Sequence, residues 1–458
     1  MVLKIQLINR GGCTMRHLRH WIFSALLAFC GYGGVLTAPV TWAQKSPLVI
    51  AVLVDGLSGE MIAAFDTPHL DQLRAAGVYS NNLIPTFPAI SGPTWVSIST
   101  GCRPDKHGLV TDKFWDPALG LMDHSGDVKW LAGCELLQQT AERQGVITAA
   151  LGWWGQWSEE HGKTASYISA GAQAEQSVPR DSLLYLSDAE RSEEVVRYLS
   201  LPLAEKPQLI LAYFRGPDHD AHWHGIRSPQ NQQAVETFDR AMGGILDAIG
   251  FPDSRNAVSL FIFSDHGHVP VDRIVNVKRI LRRHDIAARD VTSGTTGFIY
   301  LQDRDTVEQA IEVLSQYSEM MDVLDKRAFP DYVNLGDSDR VPDIILAAKP
   351  GYFMADPDLW PWYLKPLTVI GPSSISSPPF PGAKGLYSAH GYQPNVPGNS
   401  GIFLGWGKEL PAGLTLPAMD MVDIHPTIAE ILRIEPGADI DGRSLLSILR
   451  QPGVKTNE

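Results

Sequence analysis

The sequence predicts an α/β fold, a doubly wound and mostly parallel sheet flanked by helices with a small α+β subdomain inserted, on three observations. The first is a set of short apolar runs without alternation, the pattern of strands buried on both faces. They are Pro47–Val54, Val146–Leu151, Leu209–Phe214 and Val258–Phe263. The second is the material between them. His69–Ala76, Cys134–Arg143, Ala189–Leu199 and Gln230–Ile249 carry apolar residues at helical spacing, and strands alternating with helices build open sheets covered on both sides. The third is a break in that rhythm over residues 273–356, the inserted subdomain. There Val275–Arg283 and Thr306–Tyr317 read as helices, and Gly297–Leu301 and Asp343–Ala347 as strands. A Pro-, Ser- and Gly-rich loop, Gly371–Gly385, precedes His390, and Asp423–Leu432 reads as a closing helix.

The 458 residues divide into a leader, 1–43, and one main domain, 44–450, that holds the insertion. Hydrophobic residues make up 44% and charged residues 19%, ordinary globular usage that excludes a disordered or coiled-coil chain. The leader has the order of a secretory signal. Lys4, Arg10, Arg16 and Arg19 come first, no acid precedes Asp55, and Trp21–Phe29 is apolar. Thr41 and Ala43 are the small residues of a cleavage site after Ala43. The alternative is an uncleaved anchor, which Gly31, Gly33, Gly34 and Pro39 make a poor span. Export, to a periplasm or the medium, is the expectation, with no stable membrane span after processing; oligomeric state is left open. Losing the four basic residues takes the net charge from −13 to −17. That excludes a scaffold holding nucleic acid by bulk positive charge, but not a phosphate held through a metal. Cys102 and Cys134 remain after the leader. In an exported protein they either pair or sit as two separate buried thiols.

The chemistry lies where the apolar runs end, because open α/β sheets gather ligands at the carboxyl ends of their strands. Val54 is followed by Asp55-Gly56, Phe214 by Arg215-Gly216-Pro217-Asp218 with His222 four residues on, and Phe263 by Ser264-Asp265-His266-Gly267-His268. Ser388-Ala389-His390-Gly391 lies far downstream. Singly, each is an ordinary cap or surface residue. Together they offer three Asp and three His, a mixed set that suits zinc and similar divalent metals. Six ligands suffice for two ions with open positions left. His219, Asp220, His224 and His268 flank these motifs, as orienting or solvent-exposed groups. Ser91 precedes Gly92-Pro93-Thr94-Trp95. It either caps a helix beginning near Pro93 or is a nucleophile at a helix N-terminus, activated by metal coordination.

Asp55-Gly56, Ser91…Thr100-Gly101, Asp218-x-x-x-His222, Asp265-His266-Gly267 and His390-Gly391 occur in the order seen in the alkaline phosphatase superfamily. The chain most resembles its type I phosphodiesterase/nucleotide pyrophosphatase family. Cys102-Arg103-Pro104-Asp105-Lys106-His107-Gly108 resembles that family's segment after Thr-Gly, and Asp423-Ile424-His425-Pro426-Thr427 and Asp441-Gly442-Arg443-Ser444 its ending. The resemblance implies an alkaline-phosphatase-like sandwich spanning Leu48–Leu449. It also implies two divalent ions, best matched by zinc. Asp218, His222 and His390 would hold one; Asp55, Asp265 and His266 the other, with Ser91 completing it. Two ions about 3.5–4 Å apart clamp attacking and leaving oxygens. The implied activity is hydrolysis of a small phosphate diester or nucleotide through a phospho-serine.

Three departures bear on substrate. The family commonly uses Thr as nucleophile, and Thr86 sits in a lookalike Pro-Thr-Phe-Pro, but only Ser91 lies ten residues before Gly101, as the pattern requires. Sulfatases place Arg four residues after this slot, where Trp95 stands here. The family's phosphate-contacting Asn is replaced by Asp112, beside Lys113; an Asp repels a phosphate oxygen unless it is protonated or turned to the lysine. Trp153 and Trp154 are candidates to stack a nucleobase, or pack under the subdomain. The segment Leu151–Trp157 lacks the Lys or Arg with which monoesterases of the superfamily it resembles clamp a dianionic phosphate, which favours diesters. The rival readings are a phosphomonoesterase, a phosphonate or sulfate-ester hydrolase, and a non-catalytic binding relative.

Overall fold

The computed structural model describes residues 47–450, apart from 124–125, 159, 161, 170–185, 355–365, 367–369 and 379–384. The predicted leader and its cleavage site lie outside the described residues. So do Asp356, at the end of the predicted insertion, and part of the loop ahead of His390.

The main sheet runs, edge to edge, Leu414–Thr415, Val78–Ile84, Gly401–Trp406, Val258–Ser264, Leu48–Val54, Leu209–Phe214, Thr148–Leu151 and Tyr167–Ile168. From Val258–Ser264 to Tyr167–Ile168 every neighbour is parallel, as the unbroken apolar runs require. Gly401–Trp406 is antiparallel to both its neighbours. The helices Pro68–Ala76, Leu137–Arg143, Asp188–Leu199, Pro229–Ile249 and Ile424–Leu432 fall where helical spacing predicts them.

Side chains on the central strand alternate between the two faces. Ile50, Val52 and Val54 pack with Val195, Val235, Phe238 and Met242 of the helices on one face. Val49, Ala51 and Leu53 pack with Ile424, Ile428 and Leu432 on the other. Burying each of the Val, Leu, Ile, Phe and Met side chains contributes about 1.5–3 kcal/mol, so both covering layers help to hold the strand.

Two strands of this sheet carry no readable signal in the sequence. Val78–Ile84 contains Ser80, Asn81 and Asn82, poor strand formers. Gly401–Trp406 has glycines at 401 and 405. A Cβ at Gly401 would meet the Ser264 carbonyl at 2.4 Å, so the glycine permits the strand's close approach.

Within 273–356 a second, antiparallel sheet runs Ala288–Ser293, Thr296–Leu301, Ile344–Ala348, Met321–Asp325. Val307–Ser315 and Val277–Arg283 bury Leu314, Ile280 and Leu281 in the core it shares. A third sheet is built on Val269–Val275, which pairs with Gly351–Met354, Ser374–Ser376 and Ser388–Ala389. Cys102 and Cys134 are disulfide-bonded, their Cα atoms 6.6 Å apart.

Candidate active site

Strand register assembles the site. Val54 is level with Phe214 on one side and Ser264 on the other, so the segments carrying Asp55, Asp218 and Asp265 leave one sheet edge together. Asp218 opens the helix Asp218–His224, where a spacing of four puts His222 on its face. The pairing of Ala389 with Val269 brings His390 beside His268. Ser91 lies in the first turn of the helix Ser91–Thr100, preceded by Ile90, and makes no capping bond. The capping alternative is therefore corrected: the Ser91 hydroxyl faces His266 Nε2 at 3.3 Å.

The predicted carboxylates and imidazoles converge. His266 Nε2 is 3.3 Å from Asp265 Oδ2 and 3.6 Å from Asp55 Oδ1. Asp218 Oδ1 is 3.4 Å from His222 Nε2 and 3.6 Å from His390 Nε2. Two groups, Asp55/Asp265/His266 and Asp218/His222/His390, each keep their ligand atoms within 4.8 Å of one another. The rings of His266 and His390 stack at 3.5 Å.

The imidazole protons are fixed by what lies behind each ring. His222 Nδ1 faces the Ser388 carbonyl at 2.7 Å, His390 Nδ1 that of Ala89 at 2.9 Å, and His266 Nδ1 that of Gly267 at 3.2 Å. A carbonyl only accepts, so each Nδ1 carries a proton. Burial opposes charge on His222, but Asp218 outweighs it and raises that imidazole above its usual range, whereas neutral His266 turns its Nε2 lone pair towards Asp55 and Asp265, which also only accept. Asp55 Oδ1 is buried with no hydrogen-bond partner. Burial, with Asp265 and Asp218 close by, pushes Asp55 well above the ordinary carboxylate range. Burial pushes Asp265 up to about 7. It pushes His266 down to about 3 and His390 well below the usual imidazole range. Burial opposes a charged Asp218 too, but His222 and His268 outweigh it and hold that carboxyl well below its usual range. The cluster is short of positive charge in a way that cations relieve.

Three contributors were not singled out for these roles from the sequence. Trp95 Nε1 donates to Asp265 Oδ2 at 2.5 Å, and the Tyr213 hydroxyl to Asp55 Oδ2 at 2.9 Å. The two rings also pack on each other, with centroids 4.8 Å apart. His268, read as a flanking group, is buried with Nε2 3.1 Å from Asp218 Oδ1. A strand-interior Tyr and a mid-helix Trp look like core residues; only the tertiary pairing reveals them.

The expected substrate contacts fare differently. Asp112 Oδ1 accepts from Gly92 N at 2.7 Å, beside Ser91. Lys113 reaches Asp123 at 3.5 Å. Trp153 is 4% and Trp154 8% exposed. Trp153 packs edge-on against Phe263 and donates to Ser99 Oγ, while Trp154 joins the core around Phe114 and Leu136. The stacking role expected of both is corrected: burial leaves neither ring a free face.

A pocket of converging acceptors suits cations, and fold and site together define a hydrolase of phosphoric esters. The sequence profile of the type I phosphodiesterase / nucleotide pyrophosphatase family matches residues 49–393, and the chain belongs to that family. An uncharacterized pyrophosphatase/phosphodiesterase of Schizosaccharomyces pombe is 26% identical over 75% of this chain and 71% of its own. Human ectonucleotide pyrophosphatase/phosphodiesterase family member 1 is 22% identical over 89% of this chain, which spans 42% of that relative. Mouse bis(5'-adenosyl)-triphosphatase enpp4 is 23% identical over 88% of this chain and 83% of its own. Among solved structures, an inactive variant of mouse ectonucleotide pyrophosphatase/phosphodiesterase 5 in complex with AMP shares the fold. Its TM-score is 0.69 at 19% identity, covering 86% of this chain and 96% of that one. Among the described residues no helix is long and apolar enough to cross a membrane.

Proposed function

We propose that this chain is an exported, divalent-metal-dependent phosphodiesterase/nucleotide pyrophosphatase that cleaves small phosphate diester or pyrophosphate bonds through Ser91. The observation that carries the reading is the convergence of the Ser91 hydroxyl with inward imidazole lone pairs and buried carboxylates, one of which keeps an unpartnered oxygen. That donor set fits two divalent ions. Asp218, His222 and His390 would hold one, and Asp55, Asp265, His266 and Ser91 the other. Mixed imidazole and carboxylate ligation favours zinc. When bound, such ions neutralise phosphate oxygens and acidify a coordinated hydroxyl.

The chain's own residues do the rest. Ser91 Oγ forms the new bond to phosphorus, the bond to the departing alcohol or nucleotide breaks, and water later cleaves the phospho-serine. Helix placement turns the positive end of the backbone dipole towards the reacting group. Trp95 and Tyr213 hold Asp265 and Asp55 in orientation. The disulfide supports an oxidising destination. AMP in the structural neighbour and the dinucleotide named for the mouse relative make nucleotides the first substrates to test.

Ser91→Ala is expected to lower hydrolysis of bis(p-nitrophenyl) phosphate by about 10³-fold or more. Wild-type turnover in that variant would sink the assignment. Rates on mono- and bis-p-nitrophenyl phosphate and on p-nitrophenyl sulfate separate the diesterase from its monoesterase and sulfatase rivals.

A further inference from the structure

Two buried charges stand behind the site without entering it. Asp188 opens the helix Asp188–Leu199 and Arg191 follows three residues on; they are 8% and 5% exposed. Charges this deep persist where hydrogen bonds meet them. Here the partners are main-chain groups at the end of the strand Leu209–Phe214. Asp188 Oδ1 accepts from the Arg215 amide at 2.9 Å, and Oδ2 from the Gly216 amide at 3.1 Å. Arg191 donates to the Tyr213 carbonyl at 3.1 Å, and its guanidinium carbon lies 5.2 Å from the centre of the Tyr213 ring. One helix thus grips Tyr213, Arg215 and Gly216. The turn they form is tight. Gly216 has φ 52°, and a Cβ there would stand 2.5 Å from Val54 Cγ2 and 2.7 Å from the Asp55 carbonyl oxygen. Asp218 comes two residues after Gly216, so the path of this turn decides where its carboxylate is delivered.

We propose that Asp188 is a positioning residue for the Asp218 half of the site. Its bonds fix the path of Arg215-Gly216, and with it the point at which Asp218 joins His222 and His390. This rests on the two-cation reading above. A ligand set works only when its supports hold it to roughly 0.5 Å. A carboxylate suits the task because it offers an acceptor to both amides at once. An Asn of the same shape offers one acceptor and turns N–H donors on the other amide. Arg191 seats the same strand end one residue before Phe214, and the Tyr213 ring it covers carries the hydroxyl that reaches Asp55.

The test uses the full, zinc-loaded chain. Metal per chain is measured by mass spectrometry after equilibration with graded chelator, for wild type, Asp188→Asn and Ser192→Ala. In Asp188→Asn one ion should leave at a chelator concentration about tenfold lower than in wild type, while the other keeps its midpoint. Loss of neither ion, or an equal shift of both, would overturn the proposal. Ser192 lies on the same helix and donates to the Ala241 carbonyl instead. Ser192→Ala should leave both midpoints in place; a matching loss there would trace the effect to helix packing and equally overturn it. A further readout needs no variant. In metal-free wild type the Arg215 and Gly216 amides should exchange with deuterium as slowly as in the loaded protein, because Asp188 holds them. Fast exchange on metal removal would show that the ion sets the turn, against the proposal. Wild type that binds no divalent ion would instead remove the two-cation reading beneath it.

Discussion

Asp112 stands beside Ser91, where the family resemblance leads one to expect an Asn. Its carboxylate takes the Gly92 amide at 2.7 Å, one residue past Ser91, where a phosphate oxygen would otherwise look for a donor. Asn at this position can accept the same bond without the charge. Removing a repulsion of about 1–2 kcal/mol near a charged substrate is worth about tenfold in rate. Asp112→Asn should therefore raise kcat/KM about tenfold, and more on the dianionic p-nitrophenyl phosphate than on the monoanionic diester. Equal effects on both, or none, would show that the carboxylate does not face substrate. Two other residues set a pH limit on stability. Burial lowers His107 to about 3 and His425 to about 4. Each neutral ring has both nitrogens in use, His107 on Ser97 Oγ and Leu109 N, His425 on the Ser99 carbonyl and Gly437 N. The unfolded chain takes up these protons near pH 6.5, so the stabilisation is complete above that value and lost as pH falls towards 4 and 3. Between pH 7 and 5 each group should cost about 2 kcal/mol. Asp423, pushed up to about 6 by burial, works in the opposite sense and offsets part of the loss. Urea midpoints over this range should fall for wild type and fall less steeply for His107→Gln.

At the scale of elements, the helix Ser91–Thr100 shows why local propensity misleads. Ser-Gly-Pro-Thr-Trp-Val-Ser-Ile-Ser-Thr is poor in helix formers. It is nevertheless helical because nearly every residue in it is buried and Thr94 and Thr100 return their hydroxyls to the carbonyls of Ile90 and Val96. Its end depends on Gly101, at φ 71°, whose amide bonds Ser97 O. A side chain there is strained and would stand 3.2 Å from His425 Cβ. Gly101→Ala should cost about 1–2 kcal/mol, read as a lower melting temperature. An unchanged melt would mean the helix end relaxes freely. The parallel strands were legible because a strand buried on both faces writes an unbroken apolar run. Val78–Ile84 and Gly401–Trp406 were not, because Asn81, Asn82, Gly401 and Gly405 suit their neighbours rather than any strand pattern.

At the scale of the molecule, the Cys102–Cys134 bond ties the end of the Ser91–Thr100 helix to a segment 32 residues away. Closing a loop of that length contributes about 3–4 kcal/mol through the unfolded chain. Cys102→Ser with Cys134→Ser should lower the urea midpoint accordingly, and an unchanged midpoint would show that packing alone fixes the segment. The sequence by itself determined the alternation of strands and helices and the positions of Asp55, Ser91, Asp218, His222, Asp265, His266 and His390. These follow from short-range pattern and motif spacing, which a linear chain records. Tertiary structure alone decided that Trp95 and Tyr213 brace the carboxylates and that Trp153 and Trp154 are core. It also turned His268 onto Asp218. Each of those outcomes depends on which side chains from distant segments come within a few ångströms. Strand register and helix packing settle such encounters, and no local pattern in the chain encodes them.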